Sequence, residues 1–293
     1  MGRITDRRRV TRIRRGRAPD TRADVLTVEE PLEIRLAGAP LTVTMRTPGH
    51  DVELAAGFLL AEGVIDAAEQ FVTARYCAGA VASGPGGTEQ NTYNVLEVAL
   101  GPGARPPATA LRNFATTSSC GVCGTAQIEA LESASSFDPA DDDVRVGADF
   151  LLELPERLRE RQEVFARTGG LHAAALFDAD SGELLVARED VGRHNAVDKV
   201  LGWACLQGRL PVRRSVMQVS GRTSFELVQK AAMAGVPILS AVSAPSSLAV
   251  DLAAARGLTL AGFVRGDSLV LYSRPDRVID EEHRNTDDGE GET

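Results

Sequence analysis

The sequence predicts an α/β chain, α+β overall: a small N-terminal ββαββ unit followed by a larger α/β domain with a mixed sheet. Two patterns carry this expectation. Short apolar strands at 215–219, 236–242 and 258–264 recur about every 22 residues with helical segments between them, as successive βαβ crossovers require. Upstream, strand-type alternation on both sides of one helix marks a separate α+β unit. Hydrophobic residues at 43% and charged residues at 25% exclude a disordered or fibrous chain. No apolar run approaches the roughly 18 residues of a membrane span. Four cysteines in 293 residues are too few for a disulfide-stapled secreted scaffold.

Residues 1–22 hold nine Arg and two Asp and are expected to form a basic flexible arm. Arg7-Arg8-Arg9 invites an export-signal or nucleic-acid reading. The stretch Thr11 to Gly16 is as charged as what precedes it, which removes the first. A net charge of −9, carried by an acidic body, argues against the second. The ββαββ unit is placed in 23–107. Leu32, Ile34 and Leu36 alternate, as do Leu41, Val43 and Met45, across an Ala-Gly-Ala-Pro turn. A helix capped by Asp51 and stopped at Gly63 follows. Strands at 71–77 and 93–100 then flank a Gly/Ser-rich loop at 79–91, and 101–107 reads as a linker.

The larger domain, 108–275, is expected to contain a helix through Pro155–Arg167 ended by Gly169-Gly170. A hairpin from 171–177 and 184–188, the three crossover strands, and a helix at 224–234 opened by the capping box Thr223-Ser224-Phe225-Glu226 complete it. Residues 276–293 are read as a disordered acidic tail.

The strongest chemical signal is Ser119-Cys120-Gly121-Val122-Cys123-Gly124. Small residues leave both sulfurs accessible, and a following helix lowers a thiol pKa through its amino-terminal dipole. Structural zinc needs four ligands, and no second Cys or Cys/His pair completes the set. A thioredoxin-type enzyme places this motif after its first strand, and a zinc deaminase needs His-x-Glu upstream and Pro before the first Cys. Neither condition is met. Cys205 falls on the apolar stripe of Val197, Val200, Leu201 and Ala204 and reads as core.

Weaker signals lie at the entrances of helices. Glu189 to Asn195 gathers polar groups where a helix begins, either as an anion site or as a cluster in which Asp190, His194 and Asn195 cap backbone groups. Ser220 and Arg222 follow a strand at the position where parallel sheets bind ligands. His172 either ends a turn or faces a cleft. Arg265-Gly266-Asp267 reads as a tight hairpin turn, of the kind that more often decorates a surface than forms a site.

Six motifs together resemble the FdhD family of formate dehydrogenase accessory sulfurtransferases. They are 47–58 (TPGHDVELAAGF), 119–124 (SCGVCG), 168–174 (TGGLHAA), 190–199 (DVGRHNAVDK), 219–222 (VSGR) and 262–266 (GFVRG). The resemblance implies a cytoplasmic, homodimeric sulfur carrier with a cytidine-deaminase-like larger domain that lacks the zinc chemistry. It implies that persulfide sulfur arrives from a cysteine desulfurase on Cys120. From there it passes to the molybdenum cofactor in its bis-molybdopterin guanine dinucleotide form, which goes to the formate dehydrogenase catalytic subunit. It implies a cofactor-binding stretch at Phe263, Val264, Arg265, Gly266, Asp267 and Ser268. Arg265 then suits a phosphate and Asp267 a guanine, with Arg193, Arg222 and His194 completing a basic cleft. Cys123 would assist release of sulfur. Two other readings stay open: a non-catalytic molybdenum-cofactor chaperone and a CxxC thiol-disulfide oxidoreductase.

Overall fold

A computed structural model describes residues 3–77, 81–83, 89–91, 93–105 and 136–279. Strands β1 (Thr5–Arg12) and β2 (Asp20–Thr27) pair antiparallel from Thr5↔Thr27 to Arg12↔Asp20. The expected flexible arm is thus a β-hairpin. Its alternation is invisible as hydropathy because arginine stands where apolar residues usually mark a strand.

Next come β3 (Glu30–Leu36), β4 (Ala39–Arg46), helix α1 (Asp51–Ala61), β5 (Phe71–Tyr76), the short strands β6 (Val81–Ser83) and β7 (Glu89–Asn91), and β8 (Val95–Leu100). The larger strands form a four-stranded sheet in the order β4-β3-β8-β5, with β3 and β8 parallel. Leu32, Ile34, Leu96 and Val98 turn inward onto α1. Asp51 is not the N-cap. His50 takes that position in the left-handed region, at φ 57°, and makes no side-chain cap. Asp51 is instead buried, where it accepts hydrogen bonds from Arg46 Nε at 3.1 Å and Tyr76 Oη at 2.7 Å. Charge neutralisation in an apolar surrounding outweighs a cap that water could supply.

The remaining elements are β9 (Val146–Gly147), α2 (Ala148–Arg159), α3 (Glu163–Thr168), β10 (His172–Asp178), β11 (Leu184–Asp190), α4 (Arg193–Leu206), β12 (Ser215–Val219), α5 (Phe225–Met233), β13 (Ile238–Ala241), α6 (Ser247–Ala255), β14 (Thr259–Arg265), β15 (Ser268–Ser273) and β16 (Val278–Ile279). The expected helix at 155–167 is two helices, and Pro155 lies inside the first. A mixed six-stranded sheet runs β11-β10-β12-β13-β14-β15, parallel only from β12 to β14. The fold class is therefore the mixed α/β one that the strand spacing predicts.

Both faces of the central strands are buried. Met217, Val219, Leu239 and Leu260 join one core with α4, α5, α6 and the inner face of the N-terminal sheet. Val216, Ile238, Ala175 and Phe177 pack on the other side against Leu151, Leu154 and Leu158 of α2. Each fully buried leucine contributes about 1.5–3 kcal/mol relative to exposure. The same core continues through α1, which crosses α4 so closely that Gly57 and Gly202 face backbone.

Residues 276–279 do not belong to a tail. Arg277 is 2% exposed, and its guanidinium donates to the carbonyls of Pro139 at 2.6 Å, Asp142 at 2.7 Å and Gly257 at 2.7 Å. The rest of the predicted tail, 280–293, lies outside the described residues.

Glu53 of α1 ties this helix to β11. Its carboxylate takes two hydrogen bonds from Arg188, at 2.6 and 2.7 Å, with His50 Nδ1 3.3 Å away. Burial raises its pKa, but these bonds win and hold it at about 2. A lowered folded-state pKa adds stability above the unfolded value, and the gain is lost as pH falls through the folded value. Urea melts of the wild type should therefore lose stability as pH falls from the ordinary glutamate value of 4.5 to about 2, and Glu53→Gln should flatten that limb. Parallel limbs in the two proteins would refute this.

Candidate functional site

The parallel strands β12, β13 and β14 point their carboxyl ends to one edge of the large sheet, the place where open α/β sheets bind ligands. The start of β10 and the end of β11 reach the same edge, because β10 runs antiparallel to β12 and β11 antiparallel to β10. His172, Asp190, Arg193, His194 and residues 220–224 meet there.

The motif 190–199 divides into residues that hold and residues that are held out. Asp190 is fully buried and accepts four hydrogen bonds: from Lys199 Nζ at 2.6 Å, Gly192 N at 2.9 Å, Thr47 N at 3.1 Å and Asn195 Nδ2 at 3.1 Å. Lys199, 1% exposed, also donates to the carbonyls of Thr47 at 3.0 Å and Glu189 at 3.3 Å. Asn195 donates to Met45 O at 2.7 Å and accepts from Thr44 Oγ1 at 3.1 Å. Asp190, Asn195 and Lys199 thus clamp the strand end at 44–47 onto the β11–α4 turn. Of the capping trio the sequence offers, Asp190 and Asn195 do bind backbone groups, while His194 does something else.

His194 Nε2 lies 2.7 Å from Glu226 Oε2 and 3.2 Å from Ser224 Oγ, linking the first turns of α4 and α5. The expected capping box does not form. Ser224 is the N-cap, so Glu226 stands at the second helical residue, one place short of the third position that a box uses, and Ser224 makes no side-chain cap. Glu226 is held below the usual carboxylate range, first by the hydrogen bond from His194. The pKa of His172 is lowered too, by burial and then by the positive charge of Arg193 and His194, which keeps its ring neutral near pH 7.

These helices therefore begin without side-chain caps beside polar atoms that lack a partner. Arg193 Nε is buried with no hydrogen bond, as is Thr223 Oγ1 on a side chain only 1% exposed. An arginine and two open helix starts favour an anion. Ser220 contributes less than its position suggests, since its Oγ already accepts from Ala173 N at 2.9 Å. Gly221 passes close to His172: a β-carbon there would sit 3.3 Å from Nδ1.

Neighbouring loops extend the edge toward the stretch 263–268. Thr223 bridges Pro245, and Phe263 N donates to Ser243 O at 3.3 Å. Phe263 takes a positive φ of 51° at an irregularity in β14 between Gly262 and Arg265, while Val264 is fully buried. Arg265, Gly266, Asp267 and Ser268 are exposed. Gly266 has φ 60° in the two-residue turn that pairs Arg265 with Ser268, a conformation glycine adopts without strain. The turn is as the sequence predicts. Arg265 has its guanidinium 5.8 Å from its own Phe263 ring, and among the described residues no ion pair engages it, Arg193 or Arg222. Cys120 and Cys123 lie outside the described residues, as does 106–135 as a whole. Cys205 is core, its thiol pushed up to about 11 by burial. Sequence reasoning missed Thr47, Lys199 and Glu226; the capping-box spacing pointed to Glu226 but assigned it the wrong partner.

The FdhD/NarQ family matches residues 27–279. A relative from Mycolicibacterium paratuberculosis, named sulfur carrier protein FdhD, is 59% identical over 94% of this chain and 99% of its own length. One of the same name from Streptomyces coelicolor is 58% identical over 95% of this chain and 97% of its own. A crystal structure of a protein from Desulfotalea psychrophila, described as a formate dehydrogenase accessory protein, aligns with TM-score 0.71 and 26% identity, covering 94% of this chain and all of that one.

Proposed function

This chain belongs to the FdhD/NarQ family, and on that premise we propose that it is a sulfur carrier that supplies the molybdenum cofactor of a formate dehydrogenase. The observation that carries the reading is near-full-length identity of 59% to a protein named as a sulfur carrier, in a chain whose sequence holds the pair Cys120-Gly-Val-Cys123.

In the proposed reaction, the Cys120 thiolate attacks the terminal sulfur of a cysteine desulfurase persulfide. A new S–S bond forms at Cys120, the desulfurase S–S bond breaks, and the desulfurase thiolate leaves. Attack of the Cys123 thiolate on Cys120 Sγ then expels the outer sulfur as sulfide. The electron pair it carries off is matched by the Cys120–Cys123 disulfide left behind, which a dithiol reductant returns to thiols. The sulfide becomes a ligand of the bis-molybdopterin guanine dinucleotide substrate. Arg265 would pair with a pyrophosphate, Gly266 would admit the backbone close to it, and Asp267 would accept from guanine. Arg193, Arg222 and the open starts of α4 and α5 would hold further phosphate charge. Local arginines must do this, because a protein of net charge −9 offers an anion no long-range attraction. We place this activity in the cytoplasm and in a homodimer; among the described residues no helix is long and apolar enough to cross a membrane.

The test is intact-protein mass spectrometry after incubation with a desulfurase and labelled cysteine. Wild type should gain one sulfur at Cys120, and Cys120→Ala should gain none. Cys123→Ala should gain it and retain it. Labelled sulfur on Cys120→Ala with undiminished activation of formate dehydrogenase would sink the assignment. Wild type that binds cofactor without ever carrying persulfide would favour a non-catalytic chaperone.

A further inference from the structure

The function proposed above leaves the basic hairpin unused. It also lies ahead of the span that matches the family, 27–279. Its arginines are not equivalent. In an antiparallel pair, opposed residues share a face. On one face Arg8 is neutralised by Asp6 at 2.7 Å and Arg22 by Asp24 at 3.1 Å. On the other, Arg7 stands opposite Val25 and Arg9 opposite Ala23, flanked by Thr11 and Thr21. Both arginines are exposed, and among the described residues neither side chain has an acidic partner. A groove of about 340 Å³ is lined by Arg7, Arg8, Arg9, Thr21, Arg22 and Ala23, and of its four arginines only Arg7 and Arg9 have no acidic partner among the described residues.

We infer that the hairpin face carrying Arg7 and Arg9 docks a carboxylate-rich, extended segment of a partner protein.

Three observations argue for this occupant. Charge is complementary: two unpaired guanidinium groups, each able to take a carboxylate bidentately, stand over small and hydroxyl-bearing neighbours that leave room for a backbone. Spacing fits: Arg7 and Arg9 are two residues apart on a strand, about 7 Å, the same interval at which an extended peptide presents alternate side chains. Placement fits a partner that must reach the site. Thr27, at the base of the hairpin, donates to Thr168 Oγ1 at 2.9 Å, and Thr168 lies four residues before His172. A long polyanion such as nucleic acid is a poorer match, because the acidic body beside the hairpin would repel whatever overhangs the groove.

The experiment is fluorescence anisotropy on the full chain at low ionic strength. The probe is a fluorescein-labelled octapeptide of alternating Glu and Ser, with a Gln/Ser octapeptide and octathymidylate as comparators. The Glu/Ser peptide should bind, the Gln/Ser peptide should not, and binding should weaken with salt. Arg7→Ser/Arg9→Ser should weaken it at least fivefold, while Arg8→Ser, on the neutralised face, should change it less than twofold. No binding by wild type, or equal losses from the two variants, would overturn the inference. So would tighter binding of octathymidylate, which would assign the face to nucleic acid. Residues 280–293 contain seven Asp and Glu against one Arg, so this chain is itself a rival source of carboxylates. If converting those seven to amides raises peptide affinity tenfold, the chain's own terminus is the occupant and a partner is not.

Discussion

Replacing Lys199 by Met should cost about 3–5 kcal/mol of folding stability, because it removes one partner of a buried ion pair and leaves the other in place. Lys199 is 1% and Asp190 0% exposed, so water cannot substitute for the lost ammonium group. The change also strips donors from two carbonyls, Thr47 O and Glu189 O, each of which is expensive to leave bare. Three remaining donors, from Thr47, Gly192 and Asn195, keep the Asp190 carboxylate hydrogen-bonded and hold the loss toward the lower end of that range. Arginine should not rescue. Three tetrahedral donors on a compact head are in use here, and a planar guanidinium has no space in a site closed to solvent. Urea unfolding checks the expectation, and a loss below about 1 kcal/mol would show that the pair contributes little beyond its own desolvation.

That clamp also explains what was legible in the sequence and what was not. The strands at 215–219, 238–241 and 259–265 declare themselves locally, since a strand buried on both faces is a short apolar run bounded by turns. The Gly169 helix stop, at φ 68°, and the Gly266 turn are equally local, because backbone angle selects the residue. The Arg-rich hairpin is not local: β1 is a strand because β2 pairs with it, and its side chains carry no apolar period. Pro155 misleads for a related reason. Proline suits a first helical position, yet here it is tolerated inside α2, where buried Leu151, Leu154 and Leu158 repay the lost hydrogen bond.

For the site the division is sharper. Residues 190–199 read as one polar cluster, and only contacts with Thr44, Met45 and Thr47, about 150 residues earlier, separate the clamp from Arg193 and His194. The acidic net charge is the ground for expecting local arginines beside any anion. Arg193, one of those named for that role, stands at the predicted helix start with a buried and unpaired Nε. His194 shows the converse. Its partner Glu226 sits one residue out of register for the helix cap its spacing suggests, so the carboxylate is free to reach across to another helix.

The second large effect is expected at the crossing of α1 and α4. A β-carbon on Gly202 would lie 1.8 Å from Glu53 O and 2.7 Å from Gly57 N, and one on Gly57 would lie 1.9 Å from Asp198 O. Neither obstacle is a side chain that can rotate away; both are helix backbone. Overpacked cores usually cost 1–3 kcal/mol, and here relief requires the helix axes to separate, so Gly202→Ala should cost roughly 3–5 kcal/mol. The consequence is not confined to stability. The first turn of α4 presents Arg193 and His194, and α1 holds Glu53 against Arg188 of β11. Pushing the helices apart therefore disturbs this end of the large sheet from beneath. A double-mutant cycle separates this account from two independent defects. Gly57→Ala and Gly202→Ala open the same gap, so once one has forced the axes apart the other should cost less, with a coupling of at least about 1 kcal/mol. Additive losses would mean that each methyl group strains its own helix, and that the close crossing is not what holds the two units in register.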